Sequence, residues 1–175
     1  PVRQRWFGCA CCPPNIARLL TSLGHYIYTP REEALYINLY VGNQVEIPVG
    51  EKTLRLRISG DYPWREQVKI VIESPSTVNH TLALRLPDWC EGPHITLNGA
   101  PVTQDIRQGY LHIHHLWQEG DTLMLTLPMP VRRVYGNPLV RHQAGQVALQ
   151  RGPLVYCLEQ ADNGEALHNL LLPRD

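Results

Sequence analysis

The chain has 175 residues, of which 43% are hydrophobic and 18% charged, a composition that excludes a disordered tail. Its 16 basic and 16 acidic residues cancel, which removes the charge excess expected of a protein that binds nucleic acid or an anionic membrane. No apolar run approaches the roughly 20 residues of a membrane span, so we expect a globular protein with no membrane partner.

A cysteine cluster lies near the start of the chain, in the run Cys9-Ala10-Cys11-Cys12. The five cysteines of the chain are too few and too unevenly spaced for a disulfide framework, and adjacent cysteines bridge each other only with strain. Metal ligation or nucleophilic chemistry is one interpretation of the cluster. The other is that small residues pack at the entrance of a helix.

The residues after the cluster predict an amphipathic helix. Pro14 suits a first helical turn, where its missing N–H is no loss, and Gly24 offers a stop. Cys11 and Cys12 then lie at the N-terminal end of the helix, where the dipole favours a thiolate. They supply two of the four ligands that a zinc ion needs, and no nearby residue of the sequence completes the set. The apolar residues at helical spacing are Ile16, Leu19, Leu20 and Leu23.

From Ala34 onward the apolar residues recur at every second position, which predicts strands. The predicted strands carry Leu35, Ile37, Leu39 and Val41; Val45 and Ile47; Leu54, Leu56 and Ile58; Val68, Ile70 and Ile72; Leu82, Leu84 and Leu86; Ile95 and Leu97; Tyr110 to Ile113; and Leu123, Leu125 and Leu127. Asn98-Gly99 is the strongest hairpin signal among them. Short strands separated by Gly, Pro and Asn are typical of an antiparallel β-sandwich, which we place at residues 28–132. Residues 147–150 and 154–158 predict a further hairpin, and residues 161–175 carry few strand or helix signals.

Three histidines that lie close together in the sequence could act as metal ligands. On a strand, His112 and His114 share one face while His115 points away, so they supply at most two ligands. The simpler interpretation is that they are polar residues of a half-exposed strand.

The aromatic residues allow two interpretations as well. Trp64, Trp89 and Trp117 suit stacking on sugar rings, although indoles more often pack in or beside a core. Trp6 and Phe7 directly precede the cysteine cluster, where pocket lining and packing are equally plausible roles.

The segment Trp6-Phe7-Gly8-Cys9-Ala10-Cys11-Cys12-Pro13-Pro14-Asn15, followed by Arg18, resembles the signature of glycoside hydrolase family 127, the β-L-arabinofuranosidases. Its Cys-x-Cys-Cys-Pro-Pro run is highly specific. Weaker matches follow in the expected order and extend the resemblance to Glu159. They are Tyr36-Ile37-Asn38-Leu39-Tyr40, Leu86-Pro87-Asp88-Trp89-Cys90, Gly120-Asp121, Met129-Pro130 and Gln150-Arg151-Gly152-Pro153-Leu154-Val155-Tyr156.

The resemblance implies a retaining glycosidase with an α/α-barrel catalytic domain followed by β-sandwich domains, acting on an arabinose-containing glycan. It implies that Cys11 is the nucleophile. It also implies that Cys11 and Cys12 bind a zinc ion together with a Glu and a Cys from the barrel, while Cys9 is not carried over as a ligand. A thiolate would then replace the carboxylate nucleophile of other retaining glycosidases and form a thioglycoside that water hydrolyses.

We therefore predict a mainly β chain, a jelly-roll-like antiparallel β-sandwich preceded by one N-terminal helix of an α/α barrel. Residues 1–27 are assigned to the barrel, 28–132 to the sandwich, and 133–175 to a hairpin and the start of a second, incomplete β domain. Because the chain opens at Pro1 without an initiator Met, we expect a C-terminal fragment of a longer enzyme, inactive by itself. No secretory signal is visible, which favours the cytoplasm, and a homodimer is a candidate assembly.

The alternative function is a non-catalytic β-sandwich that binds carbohydrate through tryptophan platforms, or a structural module in which the cysteines form a metal clip. Exposed, coplanar indoles on one face would favour the binding module, and buried indoles would weaken it.

Overall fold

The structure, a computed structural model, describes residues 8–103 and 105–173 and consists mainly of strands. Three α-helices are short: α1 (Cys12–Ser22), α2 (Gly24–Ile27) and α3 (Gln160–Asn163). Two 3-10 turns, Arg141–Gln143 and Leu167–Asn169, lie in the last third of the chain. None of the described helices has the length and apolar character needed to cross a bilayer. Trp6 and Phe7 lie outside the described residues.

The strands form three sheets. They are β1 (Tyr28–Pro30), β2 (Ala34–Ile37), β3 (Asn43–Val49), β4 (Lys52–Ser59), β5 (Gln67–Ile72), β6 (Val78–Arg85), β7 (His94–Leu97), β8 (Ala100–Pro101), β9 (Asp105–Arg107), β10 (Tyr110–Trp117), β11 (Thr122–Thr126), β12 (Val131–Tyr135), β13 (Val147–Arg151) and β14 (Leu154–Tyr156). The first sheet has the strand order β1-β2-β6-β10-β9, the second β3-β4-β5-β11-β7-β8, and the third β12-β13-β14.

The first and second sheets share one hydrophobic core. Strands of both sheets alternate between buried apolar and more exposed residues, as a sheet with one buried face requires. Leu56 and Leu123 of the second sheet and Leu82 of the first are completely buried in the same cluster. Trp117 is also completely buried, and its Nε1–H donates to the backbone oxygen of His80 at 2.9 Å. Each large side chain buried in this way contributes on the order of 1.5–3 kcal/mol.

Most of the strand and turn predictions are confirmed. The mainly β composition and the N-terminal helix agree with the structure, and Asn98-Gly99 joins β7 to β8 in an antiparallel hairpin. Both turn residues have positive φ, 52° at Asn98 and 84° at Gly99. This backbone conformation is the one that favours Asn and Gly in a two-residue hairpin turn. The second predicted hairpin is formed by β13 and β14.

One predicted strand is too long. The alternation that predicts a strand as far as Val41 holds only to Ile37, where β2 ends. The Asn38 N–H still continues the pairing with the preceding strand by donating to the Ile27 oxygen at 2.8 Å. Beyond Asn38 the exposed and buried positions are exchanged. Tyr40 is buried and donates its hydroxyl to the Arg85 oxygen at 2.6 Å, whereas Val41 is exposed.

Two further predictions need correction. The pairing is not antiparallel throughout, because β2 runs parallel to β6, and the chain crosses through three strands of the second sheet between them. Gly24 does not end the helical region. It begins the short helix α2 after a break at Leu23, which keeps helical backbone angles. The jelly-roll arrangement of the sandwich stays a prediction.

The third sheet approaches the sandwich through the turn between β13 and β14. Gly152 in this turn has a φ of +57°, and a Cβ added there would lie 2.7 Å from the sulfur of Met129. Arg151 donates to the Trp64 oxygen at 3.1 Å. The turn therefore requires glycine for both backbone angle and space. The predicted boundary between residues 132 and 133 falls within β12.

We expect the stability of the chain to decrease in acid because of His80. Burial, and to a smaller extent the nearby His114, lowers the pKa of His80 below its usual value of 6.5. The unfolded chain thus binds this proton more readily than the folded chain, so the free energy of unfolding falls as the pH drops below 6.5. In urea denaturation at about pH 7 and about pH 5, His80→Leu should show a smaller loss of stability than the parent. His94→Leu, at an exposed position of β7, should keep the loss of the parent; an equal loss in His80→Leu would contradict the prediction.

Candidate active site

The cysteine pair lies at the start of α1, as predicted. Cys11 is the N-cap and Cys12 the first residue of the helix, and both side chains are exposed. Pro13 and Pro14 complete the first turn, where proline's fixed φ is compatible with the helix. The amide of Asn15 closes the first turn by bonding to the Cys11 oxygen at 3.4 Å.

Side chains of the helix hold the N-cap in place. The Asn15 Nδ2 donates to the backbone oxygen of Cys11 at 2.8 Å, and Arg18 Nη2 donates to the Asn15 Oδ1 at 2.9 Å. The three residues form a chain of hydrogen bonds along one side of the helix start. Asn15 and Arg18 belong to the sequence signature, but their role as supports of Cys11 comes from the structure. A hydrogen-bonding side chain four residues after the cap is the signal that sequence reasoning did not use.

Pro13 and Pro14 reduce the number of backbone N–H donors with which the helix start can bind an anion. A helix normally leaves the N–H groups of its cap and first three residues free, and these donors attract negative charge. Here Pro13 and Pro14 occupy two of those four positions and have no N–H. Only the amides of Cys11 and Cys12 remain, so hydrogen bonding to a thiolate is weaker than the position alone predicts.

The two sulfurs are spaced for a shared metal ion. The Sγ atoms of Cys11 and Cys12 lie 3.6 Å apart. Two thiolates on one tetrahedral zinc ion, each at about 2.3 Å, would be separated by roughly 3.8 Å. The pair therefore fits two neighbouring corners of a zinc site. Within residues 8–103 and 105–173, no three His, Cys, Asp or Glu side chains group closely enough to hold an ion, so the described residues do not form a complete ligand set.

The other cysteines do not join the pair in any described contact. Cys9 and Cys157 are exposed, and Cys90 is half-buried beside the core. Burial raises the pKa of the Cys90 thiol, with Arg132 acting in the opposite direction. Cys90 is thus held as a neutral packing residue, whereas the exposed pair at the helix start has the access that a nucleophile needs.

The histidines follow the face assignment made from the sequence. His112 and His114 are on one face of β10 and line a cleft, and the Nδ1 of His114 lies 3.1 Å from the Thr81 hydroxyl. His115 is on the opposite face, with its Nε2 3.5 Å from the Asp121 carboxylate and its ring edge-on to Trp117. The three residues therefore do not converge on one point.

The tryptophans do not form a common platform among the described residues. Trp117 is buried in the core, Trp89 packs against the core from its edge, and Trp64 is 68% exposed. The burial of Trp117 weakens the hypothesis of a binding module built on tryptophan platforms. The structure does not describe Trp6, the indole nearest in sequence to the cysteines.

The apolar face of α1 is exposed. Ile16, Leu19 and Leu20 are between 54% and 65% exposed, and no residue of the helix is buried. Among the described residues, the position of the cysteine pair therefore depends on the local bonds at the helix start and on the connection through α2.

Comparison with known proteins places residues 34–129 and 131–175 in recognised domains, whereas residues 8–33, which contain the cysteine pair, precede both matches. Residues 34–129 match the domain described as "Beta-L-arabinofuranosidase, GH127 middle domain". Residues 131–175 match the domain described as "Glycoside hydrolase family 127 C-terminal domain". The border between the two matches coincides with the start of β12 at Val131.

Similar proteins are much longer than this chain. A non-reducing end β-L-arabinofuranosidase of Bifidobacterium longum subsp. longum is 39% identical over 97% of the chain, which covers 26% of that enzyme. The crystal structure of a GH127 β-L-arabinofuranosidase from Geobacillus stearothermophilus T6 has 48% identity and a TM-score of 0.90, with 100% of this chain and 28% of that one covered. A second solved GH127 β-arabinofuranosidase has 34% identity and a TM-score of 0.82, with 91% and 28% covered. The chain thus spans about a quarter of the length of these relatives.

The spacing of the two sulfurs predicts capture of a trivalent arsenical. Phenylarsine oxide bonds two thiols and releases water, and we expect one molecule to bridge Cys11 and Cys12 because their sulfurs are exposed and 3.6 Å apart. Mass spectrometry should show one adduct per chain and protection of both residues from alkylation. Cys11→Ser should lose the stable adduct, and Cys157→Ser, at a lone exposed thiol, should retain it. Loss of the adduct in Cys157→Ser would contradict the assignment.

Proposed function

Because the chain belongs to glycoside hydrolase family 127, we propose that it forms the part of a retaining β-L-arabinofuranosidase that carries the cysteine nucleophile, Cys11. The observation that supports this most directly is the exposed vicinal pair at the start of α1, with sulfurs 3.6 Å apart. The similarity to the Bifidobacterium enzyme, whose name states its activity, supports the proposed substrate class, a glycan with terminal β-L-arabinofuranose.

In the proposed mechanism the Cys11 thiolate attacks the anomeric carbon while the bond to the leaving oxygen breaks. The leaving oxygen takes a proton from an acid residue that the family resemblance locates in the barrel. The product on the protein is a thioglycoside at Cys11, which a water molecule hydrolyses from the opposite direction, so that configuration is retained overall. Exposure of the sulfur and its fixed position at the N-cap are what this step requires.

Zinc is the cofactor that we propose for this site, with Cys11 and Cys12 as two of its ligands. When bound, it would keep the two sulfurs deprotonated at neutral pH. The spacing of the sulfurs and the loss of two N–H donors to Pro13 and Pro14 support this assignment. The remaining ligands would come from the barrel.

Asn15 and Arg18 act as positioning residues in this proposal. Their hydrogen bonds fix the carbonyl of Cys11 and hence the backbone angle from which its side chain projects. A shift of the sulfur by about 1 Å is enough to lower the rate of a positioned reaction by about a hundredfold. The signature therefore contains both the reacting group and its support.

Replacement of Cys11 in the full-length enzyme is the decisive test. We expect Cys11→Ser to lower kcat/KM on an aryl β-L-arabinofuranoside by roughly three or more orders of magnitude, because a serine hydroxyl is not ionised at neutral pH. Thermal unfolding should remain cooperative, which separates loss of the nucleophile from loss of the fold.

Cys157→Ser provides the matched control, since Cys157 is an exposed thiol outside the pair. Its kcat/KM should stay within about twofold of the parent. In the parent, mass spectrometry after rapid quenching should find the glycosyl group on the peptide that contains Cys11. Full activity in Cys11→Ser, or the sugar on another residue, would refute the proposal.

The isolated chain of 175 residues should be inactive and should bind zinc weakly. It offers two thiolate ligands, and the described residues contain no group of three that could hold an ion. Elemental analysis after gel filtration should give well under one zinc per chain, and no arabinofuranoside should be hydrolysed. Retention of one zinc per chain, or measurable turnover, would show that this chain forms a complete site.

A further inference from the structure

We propose that the outer face of the first sheet carries a second saccharide-binding site, a groove that runs across β2, β6, β10 and β9. The groove has a volume of about 590 Å³ and lies between the loop before β2 and the edge strand β9. Neither Cys11 nor Cys12 lines it. The identity of its ligand, an arabinose-containing oligosaccharide, rests on the proposed function, whereas the site itself rests on the geometry of the sheet.

The groove lies over a part of the first sheet where small residues occupy neighbouring positions of β2 and β6. In one row across the sheet, Thr81 of β6 lies between Ala34 and His114. In the next row, Ala83 of β6 lies between larger neighbours, Tyr36 of β2 and His112 of β10. Side chains two residues apart on a strand share a face, so these rows are adjacent. Ala83 is completely buried, because the rings of Tyr36 and His112 meet above it, so the open part of the groove lies over Ala34 and Thr81, beside these two rings.

The aromatic rings that line the groove, Tyr36 and His112, are fixed in orientation by ring contacts. The ring of Tyr36 meets Tyr110 edge-on, with centroids 5.1 Å apart and an interplanar angle of 84°. It meets His112 in the same manner, at 5.8 Å and 87°. Edge-to-face contacts of this kind restrict the rings before any ligand arrives. Aromatic surface that is already ordered can pack against the C–H face of a sugar with little loss of entropy.

The polar groups of the groove are also held in place. Arg107 donates from Nε and Nη2 to the two carboxylate oxygens of Asp105, at 2.9 and 2.7 Å, and this hydrogen bonding lowers the pKa of Asp105. Thr81 and His114 are joined at 3.1 Å. The groove therefore presents fixed donors and acceptors side by side, which is what a sugar hydroxyl needs, since it both donates and accepts.

The charge of the groove indicates a neutral ligand. Its lining includes three acidic residues, Glu32, Glu33 and Asp105, and two basic ones, Arg31 and Arg107, which leaves one net negative charge. Such a surface does not attract a phosphate or another polyanion. The described residues contain no group of three His, Cys, Asp or Glu side chains that could hold a metal ion. Mixed polarity beside an ordered aromatic surface fits an uncharged oligosaccharide.

Affinity electrophoresis of the full-length protein tests the proposal. The protein, with Cys11→Ala to prevent hydrolysis, should be retarded in a native gel that contains soluble arabinan and not in one that contains dextran. Arg107→Gln and His112→Ala should each weaken arabinan binding by at least about fivefold, which corresponds to the loss of one well-placed hydrogen bond. Two substitutions at different positions guard against a failure of either variant to fold.

Two controls match these variants by residue type. Arg57→Gln removes an arginine that bonds to Glu73 at 2.7 Å on the second sheet, and His94→Ala removes an exposed histidine on β7. Both controls should bind arabinan as the parent does. Absence of retardation in the parent, unchanged binding in Arg107→Gln and His112→Ala, or equal weakening in the controls would overturn the proposal.

A parallel assay separates this inference from the proposed function. With Cys11 intact, Arg107→Gln and His112→Ala should hydrolyse a small aryl arabinofuranoside with kcat/KM within about twofold of the parent, because the groove lies apart from the cysteine pair. Loss of retardation with hydrolysis preserved supports the second site. Retardation without any hydrolysis in the parent would refute the arabinofuranosidase and leave the groove in place. A large fall in small-substrate hydrolysis in both variants would refute a separate site.

Discussion

The apolar core shared by the first and second sheets is the constraint on which the rest of the structure depends. Strand β6 is central to it, because it pairs with β2 on one side and β10 on the other and directs Leu82 and Leu84 into the core. Two large side chains donate to its backbone, Trp117 at the His80 oxygen and Tyr40 at the Arg85 oxygen. These bonds satisfy polar groups that burial would otherwise leave without partners. Because the core fixes the position of β6, it also fixes the residues that β6 presents on the outer face of the first sheet.

The cysteine pair depends on a different kind of interaction. Proline backbone, the N-cap position of Cys11 and the hydrogen bonds from Asn15 and Arg18 all act within one helical start. The described core does not bury any residue of α1. The geometry of the sulfurs is therefore set by a segment of fewer than ten residues. The contacts that hold the pair among the described residues are therefore all close in sequence.

The two proposed sites use the protein in complementary ways. At the cysteine pair, a single exposed sulfur would form and break a covalent bond, with zinc proposed as the source of charge stabilisation. In the groove, many weak contacts from a rigid sheet would hold a longer part of the glycan without reacting with it. An enzyme with the proposed activity would gain from such a site, because binding of the remaining glycan would raise its effective concentration near Cys11.

Sequence by itself determined the features that depend on neighbours along the chain. These include the helix start at Cys11 and Cys12, the alternating strands, the Asn98-Gly99 hairpin and the opposite faces of His114 and His115. Only the tertiary structure decided the parallel pairing of β2 with β6, the reversal of faces after Asn38 and the groove over Ala34 and Thr81. The pairing and the groove join residues more than ten positions apart in the chain, and the reversal breaks the alternation that the sequence shows. Local periodicity records which side of a strand is apolar, but it carries no information about which strand lies beside it, because that choice is made by packing in the common core.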